Sequence, residues 1–213
     1  MLKIYGADLS SPANKVRFVA NALNLQFEYI RVSIRDGENK KEDFLRLHPA
    51  GKIPVIVDDG FILFESGAIV KYLCEKHPSG LYPADLKQRA IVNQWTDFST
   101  LHIGTAMGRV FYNRVIAPMT KAKVDEQSLS DGLTFLSRFL PIIDKQLSLQ
   151  KYLAQDKLTL ADITLLAALD PAEVSGVELN SYQNIVKWRD ALKKQDFYTK
   201  CFQEYGEILK ARK

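Results

Sequence analysis

Residues 48–69 read H-P-A-G-K-I-P-V-I-V-D-D-G-F-I-L-F-E-S-G-A-I, and this stretch decides the fold of the first third of the chain. Two apolar runs flank Asp58-Asp59-Gly60, which is turn chemistry that joins antiparallel strands. Pro54 is expected at the beginning of its strand, because proline has no N–H for a central ladder. The stretch therefore predicts a hairpin of two strands that leads into a helix.

The segments around this hairpin extend it to a complete α/β domain. A short strand is predicted to end at Gly6, and apolar residues from Val16 to Leu23 recur at helical spacing. A second strand is predicted around Tyr29, and a short helix around Phe44. With a further helix that begins near Ser66 and ends before His77-Pro78, residues 1–78 are predicted to follow the order βαβαββα.

The rest of the chain is predicted to be helical. Gly80 and Pro83 indicate a linker over residues 79–86, after which no convincing strand pattern follows. Thr159-Leu160-Ala161-Asp162 has the pattern of a capping box, and we expect its role to be in folding. The all-α helical bundle domain is predicted over 87–213, with helices at 87–116, 125–148, 159–169, 182–193 and 196–210.

Composition and charge exclude several classes of protein. Hydrophobic residues make up 46% and charged residues 25%, as in folded globular chains. The net charge of +4 is spread among acidic residues without a basic block, so nucleic acid is not an expected partner. No apolar run suits a signal peptide or a membrane span, and we expect a cytoplasmic protein. Cys74 and Cys201 are far apart, which predicts buried thiols and no metal site.

Four segments resemble the cytosolic glutathione transferase superfamily, and together they span most of the chain. They are G-A-D-L-S-S-P-A-N-K-V at 6–16, H-P-A-G-K-I-P at 48–54, F-E-S-G-A-I at 64–69 and L-T-L-A-D-I at 158–163. The spacing from Gly6 to Ser10 is most similar to the serine-type phi, theta and delta classes. The resemblance implies a thioredoxin-like first domain, a helical second domain and a homodimer.

The implied activity is a detoxifying conjugation of glutathione to small hydrophobic electrophiles. Glutathione would be a co-substrate, and no other cofactor is implied. Only a few per cent of a thiol with a pKa of about 8.5 is ionised at neutral pH, so the enzyme must stabilise the thiolate. One hydroxyl donor supplies roughly 1.5–3 kcal/mol of that preference.

Ser10 is the predicted thiolate donor. Ser11 precedes Pro12 and is therefore predicted to be the N-cap of the first helix, which leaves Ser10 outside the helix and able to face a ligand. The spacing of the resembled family also favours Ser10. Ser11, Tyr5 and Asn14 remain alternative donors.

The remaining site residues are implied by the resemblance. Ile53 is expected to pair its backbone with the cysteinyl unit beside a cis Pro54, and the γ-glutamyl end would meet the start of the third helix. The electrophile pocket is expected between the domains. The glutathione set is Ser11, Asn39, Lys40 (or Lys41), Lys52, Ile53, Pro54, Glu65 and Ser66, and the electrophile set is Leu9, Met107, Phe111 and Tyr112.

Two alternative functions stay open at this point. The same site could use glutathione to reduce peroxides or disulfides, although no cysteine lies near position 10 for a mixed disulfide. The fold could also serve as a non-catalytic ligand-binding module. Ala50 lies where several classes have an aromatic dimer-contact residue, so a dimer would lack that contact. His102 is interpreted as structural.

Overall fold

The computed structural model describes residues 1–210, and its first unit contains a mixed four-stranded sheet. The strand order is β2-β1-β3-β4, where β1 runs parallel to β2 and antiparallel to β3, and β3 pairs antiparallel with β4. The strands are β1 (Leu2–Gly6), β2 (Phe27–Arg31), β3 (Val55–Asp58) and β4 (Phe61–Phe64). The predicted order βαβαββα is confirmed.

The hairpin between β3 and β4 turns at two residues with left-handed backbone. Asp59 has φ of 49° and Gly60 has φ of 90°, as a two-residue hairpin turn requires. The helices of this unit are α1 (Ser11–Ala22), α2 (Glu42–Leu45) and α3 (Ser66–Lys76), with a 3₁₀ turn at Glu38–Lys40. Burial of Val16, Val19 and Ala20 confirms the apolar face predicted for α1.

The second unit is helical over the residues that the structure describes. The predicted helix 87–116 belongs to one helical segment over residues 86–120. This segment contains two π-helical stretches, which the apolar periodicity of the sequence does not reveal. Its parts are α4 (Leu86–Phe98), a π-helical stretch at Ser99–Gly104, α5 (Thr105–Phe111), a second one at Tyr112–Ile116, and α6 (Ala117–Thr120). The helices that follow are α7 (Glu126–Leu149), α8 (Leu160–Leu169), α9 (Ala172–Ser175) and α10 (Gln183–Lys193).

The predicted helix 196–210 is wrong as a single element. It divides into α11 (Asp196–Thr199) and α12 (Glu207–Lys210), and the segment Asp196–Gln203 belongs to the first compact unit. The physical reason is aromatic packing. The Phe18 ring of α1 lies 6.0, 5.0 and 5.8 Å from the rings of the segment's aromatic residues, which are Phe197, Tyr198 and Phe202.

The chain therefore divides differently from the predicted 1–78 and 87–213. One unit comprises Met1–Ser79 with Asp196–Gln203, and the other comprises Gly80–Gln195 with residues from Glu204 onward. Residues 211–213 of the predicted helical domain lie outside the described part of the chain. The α4 helix begins at Leu86, at the end of the predicted linker 79–86.

The predicted capping box at the start of α8 is confirmed. The Asp162 carboxylate accepts hydrogen bonds from the Thr159 N–H and hydroxyl, both at 2.9 Å. It also accepts from the Leu153 N–H at 2.9 Å and from the indole N–H of Trp188 at 3.3 Å. Burial nevertheless raises the pKa of Asp162 to about 6, because desolvation disfavours the charged form.

The two cysteines differ in environment. Cys74 is buried, as predicted, and burial raises the pKa of its thiol to about 12. Cys201 is only half-buried, contrary to the prediction, and its sulfur accepts a hydrogen bond from the Asn21 amide at 3.3 Å. Within residues 1–210 no cluster of three His, Cys, Asp or Glu side chains could hold a metal ion. No helix of that part of the chain has the length and apolar character needed to cross a membrane.

Candidate functional site

Strand register brings the predicted glutathione-binding segments to one end of the sheet. Tyr5, near the end of β1, pairs with Val55 at the start of β3, and Val55 pairs with Phe64 at the end of β4. Gly6 pairs with Arg31, where the parallel strand β2 ends. Consequently the loops after β1, β2 and β4 and the segment before β3 all lie at this end.

Ser10 lies at the start of α1 and is its N-cap, which corrects the prediction that Ser11 is the cap. The Ser10 Oγ accepts a long hydrogen bond from the Ala13 N–H at 3.4 Å. Ser11 is the first helical residue and Pro12 the second, and no hydroxyl contact of Ser11 is seen among the described residues. The helix begins one residue earlier than predicted. Ser10, with φ of −91° and ψ of 103°, is the last residue with extended backbone, and Ser11 is already helical.

The two alternative donors outside the serines, Asn14 and Tyr5, differ in how their side chains are engaged. The Asn14 side chain is fully buried; its amide donates to the Asp8 carbonyl at 2.7 Å and its carbonyl accepts from Arg17 at 3.1 Å. The Tyr5 ring packs edge-on against Phe44, with 6.3 Å between ring centroids. Asn14 therefore has both its groups engaged, whereas the ring contact of Tyr5 does not use its hydroxyl, so Tyr5 stays an alternative donor beside Ser10 and Ser11.

The segment before β3 presents a backbone free to bind. The Ile53-Pro54 peptide bond is cis, as expected. Pro54 is buried while Ile53 is half-buried. Among the hydrogen bonds of the described residues, none involves the Ile53 N–H or C=O, so both groups are available to an extended ligand.

Glu65 and Ser66 form the start of α3. Glu65 occupies the N-cap position with φ of 68°, a left-handed conformation that non-glycine residues rarely adopt. No side chain caps this helix, and Ser66 is its first helical residue, as the predicted start near Ser66 implies. The first N–H groups of α3 are consequently left for an anion, whose charge the helix end favours.

The other implied members of the glutathione set, Asn39, Lys40 and Lys52, fall into two groups; the resemblance implies that they bind the glycyl carboxylate of glutathione. Asn39 is buried and its amide donates to the Gly51 carbonyl at 2.8 Å. Gly51 has φ of 60°, and a Cβ there would lie 2.7 Å from the Asn39 carbonyl oxygen. Asn39 thus braces the turn that precedes Lys52. Lys40, its alternative Lys41 and Lys52 are all exposed.

The residues implied for the electrophile differ in accessibility. Met107 is only 1% exposed and packs in the core of the helical unit, where the Ser175 hydroxyl lies 4.0 Å from its sulfur. Leu9 and Phe111 are half-buried, and Tyr112 is 47% exposed. Burial therefore removes Met107 from the surface that a ligand could touch, and the pocket itself stays a prediction.

Sequence reasoning missed the charged pair Asp8 and Arg17 behind the Ser10 loop. Arg17 is 6% exposed, although arginine is seldom buried without partners. One signal was present in the sequence. Ala13, Arg17 and Ala20 recur at i, i+4 and i+7, so the arginine lies on the buried face of α1.

Both parts of the chain match known proteins. Residues 1–75 match the family model "Glutathione S-transferase, N-terminal domain", and residues 108–196 match "Glutathione S-transferase, C-terminal domain". Glutathione transferase F7 from Populus trichocarpa is 29% identical, with a TM-score of 0.86 over 94% of this chain and 97% of that one. Glutathione transferase F2 from the same organism is 27% identical, with a TM-score of 0.88 over 99% and 100%.

A glutathione S-transferase-I bound with lactoylglutathione is 25% identical, with a TM-score of 0.85 over 94% of this chain and 97% of that one. The two family matches follow each other in chain order, cover more than half of the chain and include residues of both units. The chain therefore belongs to the cytosolic glutathione transferase superfamily and is a glutathione S-transferase enzyme.

Proposed function

We propose that this enzyme joins the thiolate of glutathione to small hydrophobic electrophiles, with the Ser10 hydroxyl as the donor that stabilises the thiolate. The observation that carries this proposal is strand register. It brings the Ser10 loop to the same end of the sheet as Ile53 and the start of α3.

The cap and the donor roles of Ser10 are compatible. A serine hydroxyl has one O–H donor and two acceptor lone pairs. The contact with the Ala13 N–H uses the oxygen only as an acceptor, and it is long at 3.4 Å. The O–H is therefore left to donate to sulfur, and the positive end of α1 adds to the preference for a thiolate there.

Ser11 is the competing donor because its hydroxyl is not used for capping. Its Cα belongs to the first turn of α1, whereas Ser10 lies in the extended backbone at the junction with the loop. The spacing from Gly6 to Ser10 resembles that of the serine-type classes. We therefore assign the donor to Ser10 and use Ser11 as the matched control.

The rest of glutathione binds through groups that do not touch sulfur. The γ-glutamyl carboxylate is held by the uncapped N–H groups of α3 and the Ser66 hydroxyl, and Glu65 receives the amine. Ile53 pairs its backbone with the cysteinyl unit. Lys40 and Lys52 attract the glycyl carboxylate as exposed cations. These contacts set affinity in the ground and transition states alike.

The test is a titration of bound glutathione in wild type, Ser10→Ala and Ser11→Ala. Loss of one donor worth roughly 1.5–3 kcal/mol raises the thiol pKa by about one to two units. Ultraviolet absorbance of the thiolate, corrected for protein tyrosines, follows this pKa at saturating glutathione. Turnover should fall with the thiolate fraction, while the Michaelis constant for glutathione changes little.

A pKa shift in Ser11→Ala and not in Ser10→Ala would reverse the assignment. Unchanged titrations in both variants would remove the serines from thiolate stabilisation. A third arm tests glutathione binding: Glu65→Gln combined with Ser66→Ala should raise the Michaelis constant for glutathione with a smaller effect at saturation. An unchanged Michaelis constant would remove these two residues from the site.

Glutathione-dependent peroxide reduction is the second candidate function. It is supported by the Ser10 hydroxyl, whose O–H is not used in the capping contact and would serve a glutathione thiolate. The Ser10 loop contains no cysteine that would form a mixed disulfide. A thiolate-dependent peroxidase would use the same groups. Comparison of kcat/KM for an aryl halide and for an organic hydroperoxide separates the two, and turnover of neither would favour a ligand-binding role.

The proposed homodimer would use the exposed edge strand β4. Phe61, Ile62 and Phe64 are 49%, 41% and 37% exposed there, and an unpaired apolar edge is a surface that proteins usually cover. Sedimentation of wild type and of Phe61→Lys tests this. Wild type is expected as a dimer and the variant as a monomer, and identical masses would place the interface elsewhere.

A further inference from the structure

Arg17 lies in a buried position with partners from three parts of the first unit. Its guanidinium donates to the Asp8 carboxylate at 3.4 Å and to the Asn14 side-chain carbonyl at 3.1 Å. It also donates to the Cys201 backbone carbonyl at 3.1 Å and lies 4.2 Å from the centre of the Tyr29 ring. A guanidinium can fill this position because its fork donates in several directions while its flat face stacks on an aromatic ring.

The partner residue Asp8 holds the loop that carries Ser10. Its backbone carbonyl accepts from the Asn14 amide at 2.7 Å, and its carboxylate accepts from Arg31 at 2.9 Å as well as from Arg17. Two residues later, the Ser10 N–H donates to the Ala7 carbonyl at 2.9 Å, which closes a tight turn. The position of the Ser10 hydroxyl is thus set by a turn anchored at Asp8.

We propose that Arg17 is a positioning residue for the Ser10 hydroxyl, acting through Asp8 and Asn14. The buried guanidinium fixes the loop against α1, and the contact with the Cys201 carbonyl links the loop to the segment Asp196–Gln203. This inference rests on the proposed role of Ser10. It assigns to Arg17 no contact with glutathione.

Stabilisation of a thiolate requires that the Ser10 hydroxyl be held in an accurate position. A hydrogen bond to a thiolate weakens steeply when its length or angle deviates, and a misplaced donor loses its effect on the pKa even in a folded enzyme. Arg31 cannot replace Arg17, because its side chain is 69% exposed and contacts Asp8 from the solvent side. Removal of the Arg17 fork should therefore loosen the Ser10 loop and raise the pKa of the bound thiol.

The main test compares Arg17→Lys with wild type. Lysine retains the charge and lacks the fork, so we expect the bound thiol's pKa to rise by about half a unit to one unit. Turnover below that pKa should fall by about 3- to 10-fold and approach wild type at alkaline pH. The Michaelis constant for glutathione should stay within about twofold, because its carboxylate contacts lie elsewhere.

Asn21→Ala is the matched control. The Asn21 amide donates to the Phe197 carbonyl at 3.1 Å, so it anchors the same C-terminal segment from the same helix without contacting Asp8. Its bound thiol should titrate as in wild type. An equal pKa shift in Asn21→Ala would mean that seating of the segment, and not the link from Arg17 to Asp8, positions Ser10, and would overturn the assignment.

Two further variants keep the inference falsifiable. Asp8→Asn removes the charged partner with little change of shape and should shift the pKa in the same direction, even if Arg17→Lys does not fold. In the background of Ser10→Ala, Arg17→Lys should cause no further shift, because a positioning residue acts only through the group it positions. Independent, additive shifts would overturn it.

The outcomes separate this inference from the function it rests on. If Ser10→Ala leaves the thiol pKa unchanged, the proposed donor is wrong. If Ser10→Ala shifts the pKa while Arg17→Lys and Asp8→Asn do not, Ser10 is the donor and the positioning role is overturned. A loss of thermal stability in Arg17→Lys with a wild-type pKa profile would likewise reduce Arg17 to a structural residue.

Discussion

At the start of α1 and at the start of α8, a side-chain oxygen accepts hydrogen bonds from backbone N–H groups, but the two sites serve different purposes. At α8, the Asp162 carboxylate is fully buried and accepts from Thr159, Leu153 and Trp188 at 2.9–3.3 Å. At α1, Ser10 is half-buried and its oxygen accepts one contact of 3.4 Å. One helix start is satisfied within the protein, and the other retains an unused donor.

This difference indicates that the hydrogen bonds of a capping residue distinguish a structural role from a ligand-binding role. A polar group whose bonds are all made inside the fold contributes to stability, and its loss leaves buried donors without partners. A group at a helix start that keeps a free donor, beside other unpaired groups such as the Ile53 backbone, is placed to meet a ligand. Substitutions at the helix starts therefore separate residues that stabilise the fold from residues that meet a ligand.

The largest effect is expected from Asp162→Ala. It leaves the Thr159, Leu153 and Trp188 donors without an acceptor, and we expect the free energy of unfolding to fall by about 3 to 5 kcal/mol. Urea denaturation measures this loss, and the bound thiol's pKa in the folded fraction should match wild type. A loss below about 1 kcal/mol would contradict the structural role given to Asp162.

The free energy of unfolding should depend on pH because the pKa of Asp162 is raised in the folded state. Because the folded-state pKa of about 6 lies above that of the unfolded chain, the folded state binds more protons between about pH 4 and 6. Stability therefore falls as pH rises through this window, by up to about 3 kcal/mol for this group.

The control is Asp162→Asn, which lacks the titration. The difference in unfolding free energy between wild type and this variant should become less favourable to wild type from about pH 4 to 6 and level off above. A difference that is constant with pH would mean that the folded-state pKa of Asp162 is not raised.

An intermediate effect is expected at Glu65, at the start of α3. Its φ of 68° is strained by about 1 to 3 kcal/mol for a residue with a side chain, and glycine relieves this at an entropic cost of about 0.5 to 1 kcal/mol. Glu65→Gly should thus be more stable than Glu65→Gln, which keeps the strain. Both should raise the Michaelis constant for glutathione, since both remove the carboxylate. Equal stabilities would contradict the strain.

The smallest stability effect is expected at Ser10 itself. Since its capping contact is long, Ser10→Ala should cost less than about 1 kcal/mol of unfolding free energy. Ser10→Asp supplies a good capping acceptor and should restore stability, yet it has no donor for sulfur and should not restore turnover. Thermal melts and aryl-halide turnover measure the two. Recovery of turnover in Ser10→Asp would argue that the cap, and not the hydroxyl donor, limits catalysis.

Much of the fold was predictable from residues whose effects are local. Asp59 and Gly60 turn the β3–β4 hairpin, and Thr159 with Asp162 starts α8, because these side chains act on backbone within a few residues. Together with the spacing of apolar residues, these turn and capping residues predicted the order of strands and helices in the first 78 residues. It also placed most helices of the second part.

The sequence alone predicted which segments bind glutathione, but it did not identify which of the two adjacent serines is the helix cap. The rule that places a cap before proline favours Ser11, whereas the extended backbone of Ser10 makes Ser10 the cap. That choice depends on how the loop leaves β1, and the loop is held by Asp8, Asn14 and Arg17. Such contacts join side chains of a loop to a helix face, which periodicity does not describe.

Tertiary structure alone decided the fate of the C-terminal segment. Its composition is compatible with one helix over 196–210. Instead, the helix is broken and three aromatic side chains of the segment pack on Phe18 of α1, where their burial stabilises the fold; they are Phe197, Tyr198 and Phe202. The sequence specifies elements through local spacing and turn chemistry. Which surfaces those elements bury, and hence that Arg17 meets both Asp8 and Cys201, is decided by contacts between residues as many as 184 positions apart.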